Sequence, residues 1–383
     1  MPSSDVESAR DPRIRRRGMK TQLWDVICLA VLCVVLTLGL WPFHSPENEV
    51  AWLANRNGLQ FGRYGTVSSS GAFRIADAES GASVSVEIWL EPLRIWDSST
   101  IVAFYTPGNP SRIALRQSQA GLELTNAGFL FVENAFHRRG PLFLTITSGM
   151  HGTTVYRDGV LFSTQPRFRL FPKEFVGRLV LGDAPQQPDS WSGDLRGLAL
   201  YGGELTAAQV LRHYETWTRL ERPEISGEER NVALYLFNER AGNVVHDQAG
   251  SGVNLEIPKQ YVVLDKIFLE PFWKEFNLSR SYWESAVKNI VGFIPFGFCF
   301  CACLSAHKTR RTALVTVILG TLTSLTIEIL QAYLPTRDSG TTDLFTNTFG
   351  TYLGVVACRT VSPILAARFP WLPFVASPPG ALR

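Results

Sequence analysis

Few side chains in this chain could do chemistry inside an apolar setting, and several of them recur at helical spacing. Thr321, Ser324, Glu328 and Gln331 are separated by three, four and three residues, which puts them on one face of a helix. Asp343, Asn347, Gly350 and Gly354 follow at steps of four, three and four. Asn289 and Gly292 open a further apolar run, and Lys288 precedes them. An acidic side chain among apolar residues is costly to bury, so it has either a partner or a task. Glu328 is the sharpest case. The chemistry open to such a set is proton handling, or hydrogen bonding to the polar head of an otherwise apolar ligand.

These positions need helices to hold them, and the apolar runs supply them. A first run, Val26 to Trp41, has no charge and follows Arg13, Arg15, Arg16, Arg17 and Lys20. A secretory signal has the same layout, but Trp41-Pro42-Phe43-His44 offers no small-x-small cleavage site. The run therefore reads as an uncleaved anchor over 23–43. Three more runs lie at about 286–306, 312–333 and 344–364. Each has the roughly twenty residues that a bilayer crossing takes. Four crossings are expected. Pro295 interrupts the second helix near its start and should bend it. Gly350 and Gly354 form a small-x-x-x-small surface for close helix approach.

Depth follows from the rise of about 1.5 Å per residue. Glu328 lies about 7 Å inside the end of the third helix, and Asn347 about 6 Å inside the start of the fourth. Asn289 sits at a similar depth, and Arg337 falls in the short loop above. The spacing thus predicts one site from Asn289, Glu328, Gln331, Arg337, Asp343 and Asn347. The plainer reading stands beside it: polar residues near helix ends cap, snorkel or glue helices together. Lys288, Arg337 and Asp343 also suit interfacial anchoring, and Arg337 could pair with Glu328.

Between the first helix and the rest, 47–266 is polar and patterned with period two. Val84, Val86, Ile88 and Leu90 share one strand face. Leu142 to Thr147 repeats the pattern. Val155-Tyr156-Arg157, Asp158-Gly159 and Val160-Leu161-Phe162 read as a hairpin, because Asp-Gly supplies the positive φ of a tight turn. Further strands are expected at 178–181, 195–201 and 232–237, with one helix at about 206–218. Many short strands and one helix argue for an antiparallel β-sandwich. The next segment, 267–283, mixes aromatics with charges and suits a membrane–water interface.

The fold class is therefore a multi-domain membrane protein: a four-helix transmembrane bundle plus an antiparallel β-sandwich. The remaining parts are a basic amino-terminal stretch (1–22), the interfacial linker, a membrane domain (284–364) and a tail (365–383). Basic residues lie before the first helix, at His307 to Arg311 and at Arg359 and Arg368. The positive-inside rule then puts both termini in the cytoplasm and the sandwich outside.

Composition excludes several classes. The net charge of +3 on 383 residues gives no reason to expect a nucleic-acid partner. All six cysteines, Cys28, Cys33, Cys299, Cys301, Cys303 and Cys358, fall in the apolar segments. The sandwich must then fold without disulfides. Cys299, Cys301 and Cys303 alternate, which points them to different helix faces, so they read as small core residues. No zinc spacing, nucleophile triad, phosphate loop or calcium loop is recognisable, and neither metal nor cofactor is expected. His137, His151, His213 and His246 are scattered. Glu87, Glu91 and Glu123 could suggest a glucanase pair, but they lie on separate strands.

Two family resemblances rest on particular residues. Residues 283–354 resemble the VanZ-like family of membrane proteins, named after a teicoplanin-resistance protein. The resemblance is carried by Asn289 to Gly297 (NIVGFIPFG), Glu328 to Gln331 (EILQ), Arg337, Asp343, Asn347, Gly350 and Gly354. Residues 50–257 resemble laminin-G or concanavalin A-like lectin/glucanase domains, through Ser85 to Leu90, Val155 to Gly159 and Gly193 to Tyr201. That sandwich hosts many functions. The resemblance implies involvement in glycopeptide tolerance without giving a mechanism, and the preferred reading is a non-enzymatic, multi-pass envelope protein of the bacterial cytoplasmic membrane. Its partners would be the lipid bilayer and a glycan, peptidoglycan precursor or envelope protein. The competing expectations are an enzyme acting on a lipid-linked envelope precursor, with Glu328 and Asp343 moving protons, or a scaffold for envelope polysaccharide assembly.

Overall fold

A computed structural model describes residues 12–73, 83–137, 140–227, 229–276 and 278–368. The tail expected at 365–383 and the amino-terminal stretch at 1–22 lie largely outside these residues. The chain divides into two compact units: Ser45–Lys266, and Met1–His44 together with Ile267–Arg383.

The first unit is a sandwich of two eight-stranded sheets. One sheet runs in the order Val50–Trp52, Leu59–Phe61, Gly193–Tyr201, Val84–Pro92, Leu142–Gly149, Gly152–Arg157 and Val160–Gln165, with Asn231–Tyr235 also paired to Gly193–Tyr201. The other runs Val244–Val245, Leu255–Glu256, Val67–Ser69, Arg178–Leu181, Ser98–Thr106, Asn109–Ser118, Gly121–Thr125 and Phe129–Val132. Named pairings within both sheets are antiparallel. Period two decides what each strand buries. Val84, Val86, Ile88 and Leu90 enter the core between the sheets. Trp89 and Tyr201 emerge on the opposite face, where a second apolar cluster forms. At the expected hairpin, Asp158 and Gly159 both take positive φ, 52° and 78°, and the strands pair on either side. Both values are those of the turn that matches strand twist.

The helices are α1 (Pro12–Leu40), α2 (Ala207–Leu220), α3 (Phe272–Glu275), α4 (Arg280–Ala306), α5 (Thr312–Gln331) and α6 (Thr341–Arg368). α2 belongs to the sandwich. It starts in a capping box: Thr206 accepts from the Gln209 backbone N–H, and Gln209 Oε1 accepts from the Thr206 N–H at 2.8 Å. This satisfies two donors that a helix start otherwise leaves open. Val210 and Trp217 of α2 then pack on Trp89, Phe143 and Tyr201. That cover is why the strand Gly193–Tyr201 is buried at every position.

The second unit is built from α1, α3, α4, α5 and α6. Three helical stretches are long and apolar enough to cross a membrane: Thr21–Leu40, Tyr282–Ala306 and Thr312–Gln331. The fourth expected crossing falls on α6, whose described residues do not reach that apolar composition. α6 has 28 residues, but Asp343, Asn347 and a series of threonines dilute it. From Phe345 to Val356 its exposed positions are nevertheless apolar, Phe345, Phe349, Tyr352 and Val356, before the exposed Arg359 and Thr360. α5 divides the same way. Its buried side is Thr316, Gly320, Ser324, Ile327, Glu328 and Gln331, while Leu314, Ile318, Leu322 and Ile329 face outward. Polar inside and apolar outside is the inverse of a water-soluble bundle, and it is the arrangement hydrocarbon selects.

α4 runs unbroken through Pro295 and packs on α6 through glycine. A Cβ on Gly297 would stand 2.1 Å from the Thr351 carbonyl oxygen, and one on Gly350 would stand 2.2 Å from that of Ile290. Only a residue without a side chain allows two backbones this close.

Candidate functional site

The outer-stripe residues of the helical unit meet around a cavity of about 330 Å³. α1 contributes Val35 and Gly39, α4 contributes Lys288 and Asn289, α5 contributes Glu328 and Gln331, and α6 contributes Asp343 and Asn347. Thus Asn289, Glu328, Gln331, Asp343 and Asn347 line a single space. Arg337 does not line it. Its guanidinium instead donates to the Trp41 carbonyl at the end of α1, through Nε at 2.9 Å and also through a terminal nitrogen. Sequence spacing expected Arg337 to join the site; the structure instead sets it on the open carbonyl end of a helix.

Each polar group in the cavity has a specific support. Glu328, 1% exposed, accepts through Oε2 from the Gly340 N–H at 2.9 Å, while its backbone carbonyl accepts from Ser339 Oγ at 3.0 Å. The α5–α6 loop therefore folds back onto the acid. That loop is pinned in turn: the Glu270 N–H donates to the Ser339 carbonyl and the Thr341 N–H to the Glu270 carbonyl, both at 2.9 Å. Gln331 Nε2 donates to the Gly39 carbonyl at 2.7 Å. Asn347 Nδ2 donates to Ser324 Oγ at 2.9 Å. Its Oδ1 is buried with no hydrogen-bond partner among the described residues. A buried amide oxygen left so costs about 1–3 kcal/mol. Asn289 stands beside the Asp343 carboxylate. The segment before α4 adds Glu275, whose Oε2 accepts from the Thr342 N–H at 3.0 Å. Sequence spacing missed Gly39, Ser339 and Glu275, because nothing local marks a contact made by a loop or a carbonyl.

The sandwich carries two polar features of its own. An open groove of about 800 Å³ is lined by Glu47, Asn48, Glu49, Gln60, Glu91 and Asp194, among others. Arg56 pairs with Asp194 at 3.0 Å, and Arg196 pairs with Glu91 while lying over the Trp89 ring at 5.5 Å. Carboxylates and amides beside an aromatic-stacked arginine can hydrogen-bond a polyhydroxylated molecule. The second feature is closed. His213, fully buried, faces Glu87 Oε2 with Nδ1 at 3.1 Å and Glu229 Oε2 with Nε2 at 2.9 Å. Tyr201 also donates to Glu87 at 2.8 Å, and Arg212 pairs with Glu229. An imidazole that meets a carboxylate at both nitrogens must donate from both, and so is charged. Burial alone opposes that charge; the Glu87 and Glu229 carboxylates outweigh it and raise the His213 pKa. This network ties α2 to the sheet and is not open to a ligand. Glu87 is consumed by it, so Glu87 and Glu91 do not form a hydrolytic pair. Sequence reading placed His213 among scattered histidines, since its partners lie 126 and 16 residues away.

Residues 232–363 match the family model VanZ/LLP1. The match begins within the strand Asn231–Tyr235 and covers α3, α4, α5 and most of α6. This region is thus similar to VanZ/LLP1 proteins, and in this chain it follows a β-sandwich. No curated protein matches the chain. Among solved structures, the sandwich is similar to a proposed carbohydrate-binding protein from Bacteroides ovatus, at 11% identity and TM-score 0.37, covering 57% of this chain and 62% of that one. A SAP-like pentraxin from Limulus polyphemus matches at 14% identity and TM-score 0.34, covering 56% and 95%. The binding domain of Botulinum neurotoxin DC, solved with rat synaptotagmin II, matches at 16% and TM-score 0.33, covering 44% and 45%. The chain thus spans less than two thirds of the first and third of these. Likeness at this level says nothing of what this sandwich binds.

Proposed function

We propose that this is a cell-envelope membrane protein whose helical unit seats the polar head of a membrane-embedded ligand, while its sandwich binds a glycan or protein outside the membrane. One observation carries the reading. A cavity lined by six polar side chains, Lys288, Asn289, Glu328, Gln331, Asp343 and Asn347, sits in a bundle that turns large apolar side chains outward, and the buried Asn347 Oδ1 has no hydrogen-bond partner among the described residues. Polar groups at membrane depth cluster where something polar must be accommodated. Two acids, Glu328 and Asp343, against one lysine, Lys288, favour a head that donates hydrogen bonds, such as hydroxyls or an amine, over a phosphate. All four helices cross the membrane in this reading, α6 included, because its exposed positions from Phe345 to Val356 are apolar. Both termini then face the cytoplasm. The sandwich groove supplies the outer contact, and the VanZ/LLP1 match makes glycopeptide tolerance the phenotype to examine.

The test is expression in a teicoplanin-susceptible bacterial host. Wild-type protein should raise the inhibitory concentration, and Asn347→Leu should abolish the gain at unchanged membrane levels. No gain from correctly inserted wild type would remove the glycopeptide link. A second reading, acid–base chemistry on a lipid-linked precursor, is favoured by the two carboxylates sharing one cavity. Loss in Glu328→Gln with retention in Asn347→Leu would select it, since the amide keeps the shape and loses the proton transfer.

A further inference from the structure

Where the apolar stretch of α1 begins and α4 ends, three side chains able to bind a metal ion converge. Asp25 Oδ1, Cys303 Sγ and His307 Nε2 all lie within 4.8 Å of one another. His307 Nε2 stands 2.9 Å from Asp25 Oδ1, and the Cys303 thiol donates to that same oxygen at 3.3 Å. Cys28 is buried in the same cluster as Cys303. Its position one helical turn from Asp25 puts it on the same side of α1. Asp25 and Cys28 are three residues apart on α1, and Cys303 and His307 are four apart on α4. Both spacings put each pair on one helix face. Trp24, Ala302 and Ala306 close the apolar side.

An ion pair explains Asp25 with His307, and core packing explains small cysteines. Neither explains why a thiol is aimed at the oxygen that already faces the imidazole, with a second thiol behind it. We propose that Asp25, Cys303 and His307, with Cys28 as fourth donor, form a binding site for a divalent transition ion of the zinc class. Ligand atoms set tetrahedrally at 2.0–2.3 Å from an ion stand roughly 3.3–3.8 Å apart. The observed 3.3 Å fits that range, and the 2.9 Å pair needs to open by a few tenths of an ångström. Mixed sulfur, nitrogen and oxygen donors suit Zn²⁺, Co²⁺ or Cd²⁺, not Mg²⁺ or Ca²⁺, which take oxygen. Binding releases to solvent the thiol protons and the proton that His307 Nε2 shares with Asp25, since each ligand atom must be unprotonated. The site is separate from the cavity, whose α1 residues begin ten positions further along, about 15 Å away. It would clasp α1 to α4.

The experiment uses the full chain in detergent with reductant, stripped by chelator and dialysed against Co²⁺. The expected result is about one Co²⁺ per chain, with visible bands of tetrahedral cobalt and sulfur-to-cobalt charge transfer, displaced by Zn²⁺. Cys303→Ser and His307→Ala should lose the bands, and Cys299→Ser should keep them. Retention of no cobalt by wild type, or bands surviving both ligand variants, overturns the proposal. Should Cys303→Ser fail to fold, His307→Ala decides, because that side chain is exposed.

Discussion

Asn347 reaches across from α6 to Ser324 of α5, donating through Nδ2 at 2.9 Å, while its other amide atom, Oδ1, is buried with no hydrogen-bond partner among the described residues. An interhelical bond of this kind inside a membrane contributes on average about 0.6 kcal/mol. Asn347→Leu should therefore lower thermal stability only slightly. Measured by differential scanning fluorimetry in detergent, a shift of many degrees would show that Asn347 is structural, and would weaken its use as a probe of ligand binding.

Glycine packing gives a stronger contrast. A methyl at Gly297 meets the Thr351 carbonyl, whereas one at Gly292 meets nothing within 4 Å. Gly297→Ala should cost roughly 1–3 kcal/mol by overpacking, and Gly292→Ala should be nearly silent. Equal stabilities for the two variants would refute the close α4–α6 contact.

The sandwich should fold alone. Its unit, 45–266, encloses its own core, and every cysteine lies outside it. A fragment of these residues should be soluble, β-rich by circular dichroism and indifferent to reductant. A disordered spectrum at neutral pH would contradict this.

That fragment should also lose stability as pH rises through neutrality. His213 has a raised pKa, so above the unfolded histidine value of about 6.5 the native state still holds a proton that the unfolded chain has released. Asp183 is pushed up to about 7 by burial, against hydrogen bonds from Tyr261 and from the Asp189 and Ala184 N–H groups. It too holds a native proton that the unfolded chain loses near 3.8. Where the native state binds more protons, stability falls with rising pH. Glu229 acts oppositely: burial opposes its charge, His213 outweighs that, and its pKa is lowered, so its contribution fades only in acid. Urea midpoints at about pH 6 should exceed those at about pH 8, and His213→Gln should flatten the difference. A rising trend would rule out the charged imidazole.

Topology has a direct check. Alkaline phosphatase fused after Asp183 should be active, and fused after Arg310 inactive. The reverse pattern would overturn the orientation taken from the basic loops.

What could be read from the sequence was what repeats locally. Steps of three and four placed Glu328 with Gln331 and Asp343 with Asn347, and period two placed Val84, Val86, Ile88 and Leu90. What could not be read was tertiary. Arg337 caps α1 because of where that helix ends. His213 finds Glu87 only once a sheet and a helix have met. Asp25 and Cys28 carry no signal until α4 brings Cys303 and His307 alongside. The alternation of Cys299, Cys301 and Cys303 drew the metal question to one helix, where the geometry cannot answer it.

The cover that α2 lays over its sheet has one further effect. A β-sandwich has two outward faces, and here one is occupied by the chain itself, through Val210 and Trp217 on Trp89 and Phe143. The binding proposed for it would then fall to the edge groove beside Gln60 and Asp194, or to the other sheet, where Arg116, Glu123 and Thr125 remain half-exposed. The sandwich is one-sided, and a partner can approach it from a restricted range of directions.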